Sequence, residues 1–206
     1  MKANYESVLH VNLNLLESNF KFYKKKLDAS TKIIAVVKAF AYGHGDIKIC
    51  EELEKLNVSY FWVADFEEAI RIRRNNISTP IIVANPGYKN YNLFIKYDLE
   101  PLIFNFKSLN YFNQNKKINC HIKFNTGMNR FGFEKNDKEI IINFLNQNKN
   151  INVKTICSHL ADSTNESFTR NQMNNFDFIC DYFVKNYHSK IERHLFNSKA
   201  TINYKN

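Results

Sequence analysis

The feature that most constrains this chain is a regular alternation of short apolar runs with segments of helical periodicity. Seven β-rich runs recur at spacings of about 20 to 40 residues. They are residues 33–37, 60–64, 80–83, 100–104, 119–124, 153–158 and, with a weaker pattern, 193–196. Most are continuously apolar rather than alternating, which is typical of parallel strands that are covered on both faces.

Between these runs, apolar residues recur at steps of three and four, as amphipathic helices require. The clearest sets are Leu15, Leu16, Phe20, Tyr23 and Leu27; Ile49, Leu53 and Leu56; Ile141, Phe144 and Leu145; and Met173, Phe176, Ile179, Cys180 and Phe183. Alternating β and α units predict an α/β fold with right-handed crossovers. We predict a single domain, residues 1–206, folded as a (β/α)8 TIM-type barrel of about seven units. A doubly wound open sheet is the alternative.

The composition argues against two classes of partner. The net charge is +9, but only 6 of the 29 basic residues are Arg, the side chain on which nucleic-acid recognition most depends. We interpret the basic run Lys24, Lys25 and Lys26 as a solvated helix face. The longest apolar runs have five residues, whereas a membrane helix needs about 20. We therefore expect neither a nucleic-acid nor a membrane partner.

The cysteines indicate the compartment. Cys50, Cys120, Cys157 and Cys180 lie far apart, and no Cys or His set has the spacing of zinc ligands. We therefore expect free thiols and no metal site. We also expect a cytoplasmic location, because free cysteines suit a reducing compartment and no apolar secretory segment stands at the start.

Polar and glycine-bearing segments follow four of the predicted strands. They are residues 38–45, residues 125–132, His159 with Asp162, and Asn197 with Ser198. In a barrel the carboxyl ends of all strands meet at one rim, where the chemistry of such folds lies. We expect these segments to converge there.

Lys38 is the most informative of these residues. Because it ends an apolar strand, its amine would emerge into a partly desolvated pocket. Burial or a cationic neighbour lowers the pKa of a lysine, and the neutral amine can then attack a carbonyl compound or act as a base. Gly43 and Gly45 permit a tight loop close to a ligand, and Tyr42 can offer a hydroxyl. Taken alone, a lysine at this position more often reaches out to water.

Several other polar residues have simpler interpretations. We interpret His44, His121 and His188 as structural or exposed, and Asp162 as a loop or capping residue.

Four segments together resemble the bacterial alanine racemase family. Residues 35–45 (AVVKAFAYGHG) resemble its pyridoxal-phosphate lysine motif, and residues 123–133, 158–163 and 194–200 resemble three further signatures in the same order. The resemblance runs from about Val11 to the last residue. Phe40 departs from it, because many members have a small polar residue there, and Asn125 stands where Asp is usual.

The resemblance implies that the cofactor is pyridoxal 5'-phosphate. Lys38 would bind it covalently and then serve as one of two opposed catalytic bases. Tyr42 would contact its phosphate, Ser198 would help to bind the same group, and Asn197 would shape that turn. These four residues would form the lysine and phosphate ends of the site.

The resemblance assigns the remaining site residues to the cofactor ring and the substrate. Arg130 would bond the phenolic oxygen of the cofactor and lie near the carboxylate of the substrate. Lys123 aligns with a lysine that some members carry carboxylated, where it orients this Arg. His159 would line the ring face, and His194 would lie behind these groups.

The implied activity is the interconversion of L-alanine and D-alanine, which supplies D-alanine for peptidoglycan. Removal of the α-proton would leave a carbanion stabilised by the cofactor, and reprotonation on the opposite face would give the mirror-image product. Full-length members are expected to be homodimers. The eighth strand, the C-terminal β domain and its opposing Tyr base would lie beyond Asn206, and Tyr187 and Tyr204 match no motif for that base. We therefore interpret the chain as a fragment.

Alternatives remain open at this point. One is a non-catalytic barrel that binds pyridoxal phosphate for cofactor homeostasis. Others are a decayed remnant without activity and a domain of a larger fusion with a cell-wall ligase. Substrate identity rests on the resemblance, since relatives with this barrel handle other amino acids.

Overall fold

The structure is a computed structural model that describes residues 7–187 and 190–204. His188 and Asn206, which figure in the sequence predictions, lie outside the described residues. The strands are β1 (Ile34–Val36), β2 (Tyr60–Asp65), β3 (Ile81–Asn85), β4 (Leu99–Ile103), β5 (Ile118–Lys123), β6 (Ile151–Cys157) and β7 (Glu192–His194). The helices are α1 (Leu13–Lys26), α2 (Asp46–Lys55), α3 (Phe66–Arg74), α4 (Tyr91–Lys96), α5 (Phe106–Phe112), α6 (Lys138–Gln147), α7 (Glu166–Asn186) and α8 (Ser198–Asn203).

The seven strands form one parallel sheet in which each strand pairs with the next along the chain. A doubly wound sheet reverses its strand order at a switch point. The sequential order therefore confirms the predicted barrel and eliminates the open-sheet alternative. Each observed strand boundary lies within two residues of its predicted position, which is the usual uncertainty at strand ends.

The sheet curls so that its first and last strands approach each other. The ring of Trp62 on β2 meets His194 on β7 edge to face, with centroids 5.7 Å apart. Just before β1, Lys32 forms an ion pair with Glu192 of β7. Within the described part of the chain, β1 and β7 are the two ends of the strand order and are not paired with each other. The fold is thus an incomplete barrel, as predicted.

The outer face of the sheet packs against the helices in an apolar layer. Phe61 and Val63 of β2 and Ile81 and Val83 of β3 are completely buried in it. All four cysteines are free, as predicted, and the structure buries all of them. Burial raises the pKa of the Cys157 thiol to about 12. These thiols therefore belong to the core.

The inner face carries a chain of polar groups, of which His121, Glu100 and Thr155 are buried and Asn119 and Asn152 are half-buried. His121 Nε2 lies 2.7 Å from Glu100 Oε2, and His121 Nδ1 lies 2.8 Å from Thr155 Oγ1. Asn119 donates to Glu100 Oε1 at 3.2 Å, and Asn152 donates to Asn119 Oδ1 at 2.6 Å. Buried polar groups need such partners. The structural interpretation of His121 is confirmed.

Two side chains fasten the end of the barrel where the strands begin. The guanidinium of Arg73 on α3 donates to the carbonyls of Ile77, Thr79, Tyr97 and Asp98 at 2.7 to 3.1 Å. Glu54 Oε1 on α2 accepts from the N–H and the hydroxyl of both Ser78 and Thr79. Helices α2 and α3 are thereby fixed to the loops that start β3 and β4.

The first helix departs from its predicted packing. Leu16 and Phe20 pack against the core as its periodicity predicts, but Leu15 is 62% exposed. The basic run Lys24 to Lys26 is solvated in the last turn of α1, as predicted. No helix in the described ranges is long and apolar enough to cross a membrane.

Candidate functional site

The predicted site residues lie at or just after the carboxyl ends of strands, and Lys123 and His194 are the last residues of β5 and β7. Lys38 comes two residues after β1, Arg130 lies in the loop after β5, His159 comes two residues after β6, and Asn197 follows β7. Because the sheet is parallel throughout, these ends share one rim of the barrel.

The segment after Lys38 forms a turn of left-handed helix. Residues 39–42 have φ between 51° and 55°, although none of them is glycine. Such a conformation costs about 1–2 kcal/mol for each residue with a side chain. Strain of this kind persists only where surrounding contacts impose it, and it clusters at functional sites.

Backbone hydrogen bonds close this turn. The N–H of Gly43 donates to Ala39 O at 2.9 Å, and the N–H of Gly45 donates to Phe40 O at 2.8 Å. Both glycines have positive φ, 85° and 90°, which suits residues without a side chain. The ring of Tyr42 is 61% exposed and lies 5.8 Å from Lys38 Nζ. The turn therefore places the exposed ring of Tyr42 beside the amine of the half-buried Lys38.

Asn125 organises the loop that carries Arg130. Its Oδ1 accepts from the N–H of Gly127 at 3.2 Å and of Asn129 at 3.0 Å, and its Nδ2 donates to Glu134 at 3.0 Å. The amide at this position can donate to the Glu134 carboxylate, whereas an Asp carboxylate would repel it. This pairing accounts for the departure at Asn125.

Gly132 closes the same loop. A Cβ there would lie 2.6 Å from the backbone nitrogen of Asn125, and its φ is 141°. The loop therefore requires glycine at this position. Arg130 itself is exposed, and its guanidinium carbon lies 5.1 Å from the centre of the Phe131 ring.

Positive charge concentrates at this rim. Burial lowers the pKa of His159, and the charges of Lys123, Arg130 and Lys38 lower it further. Burial also lowers the pKa of Lys123, whose Nζ lies 4.1 Å from the Phe131 ring. Four basic side chains from β1, β5 and β6 are thus brought together as predicted. An array of this kind favours an anionic ligand.

His194 lies beneath this cluster. Burial, followed by the charges of His121, Lys123 and His159, lowers its pKa to about 3. Its Nε2 atom is buried and has no hydrogen-bond partner among the described residues. Buried polar atoms are nearly always paired, and among the described residues only this atom and Asn146 Oδ1 are buried side-chain atoms without a partner.

Asn197 and Ser198 lie on the β7 side of the rim. Asn197 caps α8 by accepting from the N–H of Ala200 at 2.9 Å, and it also accepts from Ser163 Oγ at 3.4 Å. Ser198 is exposed as the first residue of α8. Asn197 therefore shapes the turn that presents Ser198.

Sequence reasoning missed two side chains that support the rim. Gln172 of α7 is completely buried; its amide donates to His159 O at 3.1 Å and accepts from the N–H of Ala161 at 2.9 Å. Glu68 of α3 accepts from the N–H of Ala39 at 2.7 Å. Asp65 and Glu68 have the spacing of a capping box, which predicts the start of a helix. This spacing does not predict a hydrogen bond between Glu68 and residue 39. Nothing in the sequence singles out Gln172.

Together the fold and this site define a class: a parallel βα barrel with a lysine and further basic groups at the carboxyl ends of its strands. A family model described as "Alanine racemase, N-terminal domain" matches residues 11–206. The chain belongs to this family. In the described ranges, no three His, Cys, Asp or Glu side chains are grouped to hold a metal ion.

Individual relatives agree with this membership. The chain is 33% identical over 202 residues to an alanine racemase of Borreliella burgdorferi (strain ZS7). The alignment covers 95% of this chain and 54% of the relative. The chain is 34% identical over 177 residues to an alanine racemase of Treponema denticola, which covers 81% and 47%. The chain thus spans about half the length of these curated relatives.

Solved structures agree on the fold. An alanine racemase of Clostridium difficile 630 superposes with a TM-score of 0.85 at 30% identity, covering 93% of this chain and 55% of that one. An alanine racemase of Corynebacterium glutamicum gives a TM-score of 0.85 at 23% identity, covering 92% and 56%. At the lower identity the likeness shows the fold alone.

Proposed function

We propose that this chain is the barrel domain of an alanine racemase, which binds pyridoxal 5'-phosphate through Lys38 and interconverts L-alanine and D-alanine. The observation that carries the proposal is the convergence of Lys38, Lys123 and Arg130 around His159. Burial lowers the pKa of His159, and the charges of these three side chains lower it further. Membership of the family supports the same activity.

The donor set fits this cofactor. Pyridoxal phosphate bears a phosphate and a phenolic oxygen, and alanine adds a carboxylate, so a rim of basic side chains matches the charge of all three groups. A Cβ at Gly43 or Gly45 would meet nothing within 4 Å, which leaves the backbone open to a ligand. The unpaired Nε2 atom of His194 also accords with a site that needs a further group.

The residues would then divide the work of binding. Lys38 would hold the cofactor covalently, and Tyr42 and Ser198 would donate their hydroxyls to its phosphate, with Asn197 fixing the turn before Ser198. Arg130 would direct its planar fork at the phenolic oxygen and the substrate carboxylate. Lys123 would orient Arg130.

Proton transfer would depend on the amine of Lys38. When bound, pyridoxal phosphate supplies an electron sink for the α-carbon of the amino acid. Lys38 Nζ, released from the cofactor, would take the α-proton from one face or return it there. His159 would lie against the ring in its uncharged form, because burial and the neighbouring cations lower its pKa.

The test is to locate the covalent bond and to measure the reaction separately. The 206-residue chain is incubated with pyridoxal phosphate, reduced with borohydride, digested and analysed by mass spectrometry. We expect a pyridoxyl group on Lys38 and none in Lys38→Ala. Lys48→Ala, which removes an exposed lysine paired with Glu51, is the matched control and should label normally.

Exchange of L-alanine into D-alanine is followed by chiral chromatography on the same samples. Labelling with exchange supports the racemase. Labelling without exchange favours the alternative of a barrel that only binds the cofactor. Absence of labelling at Lys38 would overturn the proposal.

The biological setting forms part of the proposal. Four buried free cysteines accord with a reducing, cytoplasmic compartment. The D-alanine produced would serve peptidoglycan synthesis, and the full-length protein would form a homodimer. Size-exclusion chromatography with light scattering on the full-length protein tests the last point.

A further inference from the structure

The carboxylate of Glu68 joins two strand ends at the rim. Oε1 accepts from the N–H of Ala39 at 2.7 Å, and Oε2 accepts from the N–H of Ala64 at 2.7 Å. The N–H of Ala39 belongs to the peptide bond that Lys38 forms with the next residue. Glu68 therefore fixes the peptide plane on the carboxyl side of Lys38 and ties it to the end of β2.

Glu68 does not make the contact that its position in α3 would suggest. As the third residue of the helix, it would close a capping box by accepting from the N–H of Asp65. Instead, Asp65 Oδ1 accepts from the N–H of Glu67 and of Glu68 at 3.1 and 3.0 Å, and the Glu68 carboxylate reaches over to residue 39. The helix is thus capped without the carboxylate of Glu68.

A second contact from α3 supports the same turn. The guanidinium of Arg71 lies over the ring of Phe40, with its carbon 4.1 Å from the ring centre. Arg71 Nε donates to Asp46 Oδ2 at 3.1 Å, and Nη2 donates to the same oxygen. Asp46 is only 3% exposed, so the guanidinium is held from behind. This stack accounts for Phe40, where the sequence departs from the family motif.

The turn is anchored in the core at one residue only. Ala41 is 7% exposed and belongs to the core, whereas Ala39 is exposed, Phe40 is 57% exposed and Tyr42 is 61% exposed, although residues 39–42 are all left-handed. Core packing therefore holds the turn at Ala41 but not at its other three residues. The contacts from Glu68 and Arg71 are the side-chain contacts from α3 that act on it.

We propose that Glu68 is a positioning residue that holds Lys38 in its reactive orientation by fixing the left-handed turn, with Arg71 and Phe40 as a second support. The inference rests on the proposed function only where it concerns the cofactor. Lys38 should bind an aldehyde rapidly because its backbone is already set, and loosening the turn should slow and weaken that binding.

The first experiment measures the turn without any cofactor. Amide hydrogen exchange is compared in the wild type, Glu68→Gln and Glu68→Ala. We expect the Ala39 and Ala64 amides to be protected in the wild type and to exchange at least tenfold faster in Glu68→Ala. Glu68→Gln retains one acceptor oxygen, so one of the two amides should stay protected.

The second experiment measures binding at Lys38. Pyridoxal phosphate is titrated while the visible absorbance of its lysine adduct is followed, and its Kd is read from the curve. We expect Kd to rise about tenfold in Glu68→Ala and less in Glu68→Gln. Glu67→Gln, an exposed neighbour in the same helix, is the matched control and should leave Kd unchanged.

Arg71→Ala keeps the inference testable if Glu68→Ala does not fold. It should accelerate exchange at the Gly43 and Gly45 amides, which close the turn, and should raise Kd less than Glu68→Ala. If the Ala39 amide exchanges at the same rate in the wild type and in both Glu68 variants, the inference is wrong. An unchanged Kd in variants that lose protection would also overturn it. If the wild type forms no adduct, the proposed function fails, while the exchange data still decide whether Glu68 fixes the turn.

Discussion

The basic side chains at the rim differ in how far their pKa values are lowered. Lys123 is buried and His159 is half-buried, and burial lowers the pKa of both. The charge of Arg130 lowers both pKa values further, although Cys157 opposes the shift at Lys123. Burial lowers the pKa of His194 furthest, to about 3. Because a further proton adds positive charge to groups that already lie among cations, an acid solution should destabilise this part of the fold.

The pH dependence of stability should report His194. Its pKa falls from 6.5 to about 3 on folding, so between these values the unfolded chain binds the proton and the folded chain does not. The free energy of unfolding should therefore decrease as pH drops through this window, by about 1.4 kcal/mol per unit from this group, and should gain nothing from it above pH 6.5. Urea unfolding at pH 7, 6 and 5 measures the slope.

His194→Gln is the comparison for that slope. The variant lacks the titrating imidazole, so its free energy of unfolding should fall less steeply as the pH drops. The difference between the two slopes should correspond to about one proton bound on unfolding. Parallel slopes for the wild type and the variant would contradict the assignment.

Single residues also mark the limit of prediction from sequence. Lys38, Arg130 and His159 could be identified because each follows a strand end and the fold brings strand ends together. Glu68 and Gln172 could not, because most of their partners are backbone groups, which leave no side-chain signature in the sequence. The roles of the predicted residues toward a cofactor remain predictions.

Among the elements, α3 connects the two ends of the barrel. Its first turn reaches the rim through Glu68, and its last turn reaches the opposite end through Arg73. The strands were predictable since their apolar runs are continuous, whereas α4 and α5 have only six and seven residues and are too short to show a helical period. The left-handed turn had no sequence signature beyond the two glycines that follow it.

Arg73→Lys should destabilise the fold. The guanidinium of Arg73 donates to four carbonyls, and an ammonium on a flexible stem cannot reach them all. Carbonyls left without partners should lower the free energy of unfolding by about 2–4 kcal/mol. Arg74→Lys, at the exposed neighbour, should change it by less than about 0.5 kcal/mol. Urea denaturation of both variants checks this, and equal losses would refute the role of Arg73.

At the scale of the described sheet, its two edge strands are where the 206-residue chain can most readily pair with another chain. The strands at these edges, β1 and β7, have three residues each, and Val36 on β1 is 44% exposed. Unpaired edges can pair with another chain. The sequential order of the strands could be predicted from the sequence, but the exposure of these edges required the structure.

Self-association of the 206-residue chain should therefore depend on Val36. Val36→Lys puts a charge on the open edge and should lower the concentration-dependent rise in light scattering. Val184→Lys, at an equally apolar and 72% exposed position on α7, is the matched control and should reduce it less. Equal reductions would show that general surface charge, rather than the edge, governs association.

The ion pair between Lys32 and Glu192 has a consequence for the order of folding. It joins residues 160 positions apart, whereas every pair of adjacent strands is also adjacent in the sequence. Contacts between distant positions form slowly, and chains begin to fold from the N-terminus while they are being synthesised. Each βα unit can therefore dock on the one before it as it leaves the ribosome. The link between the first and last strands must wait until nearly all of these residues have been translated.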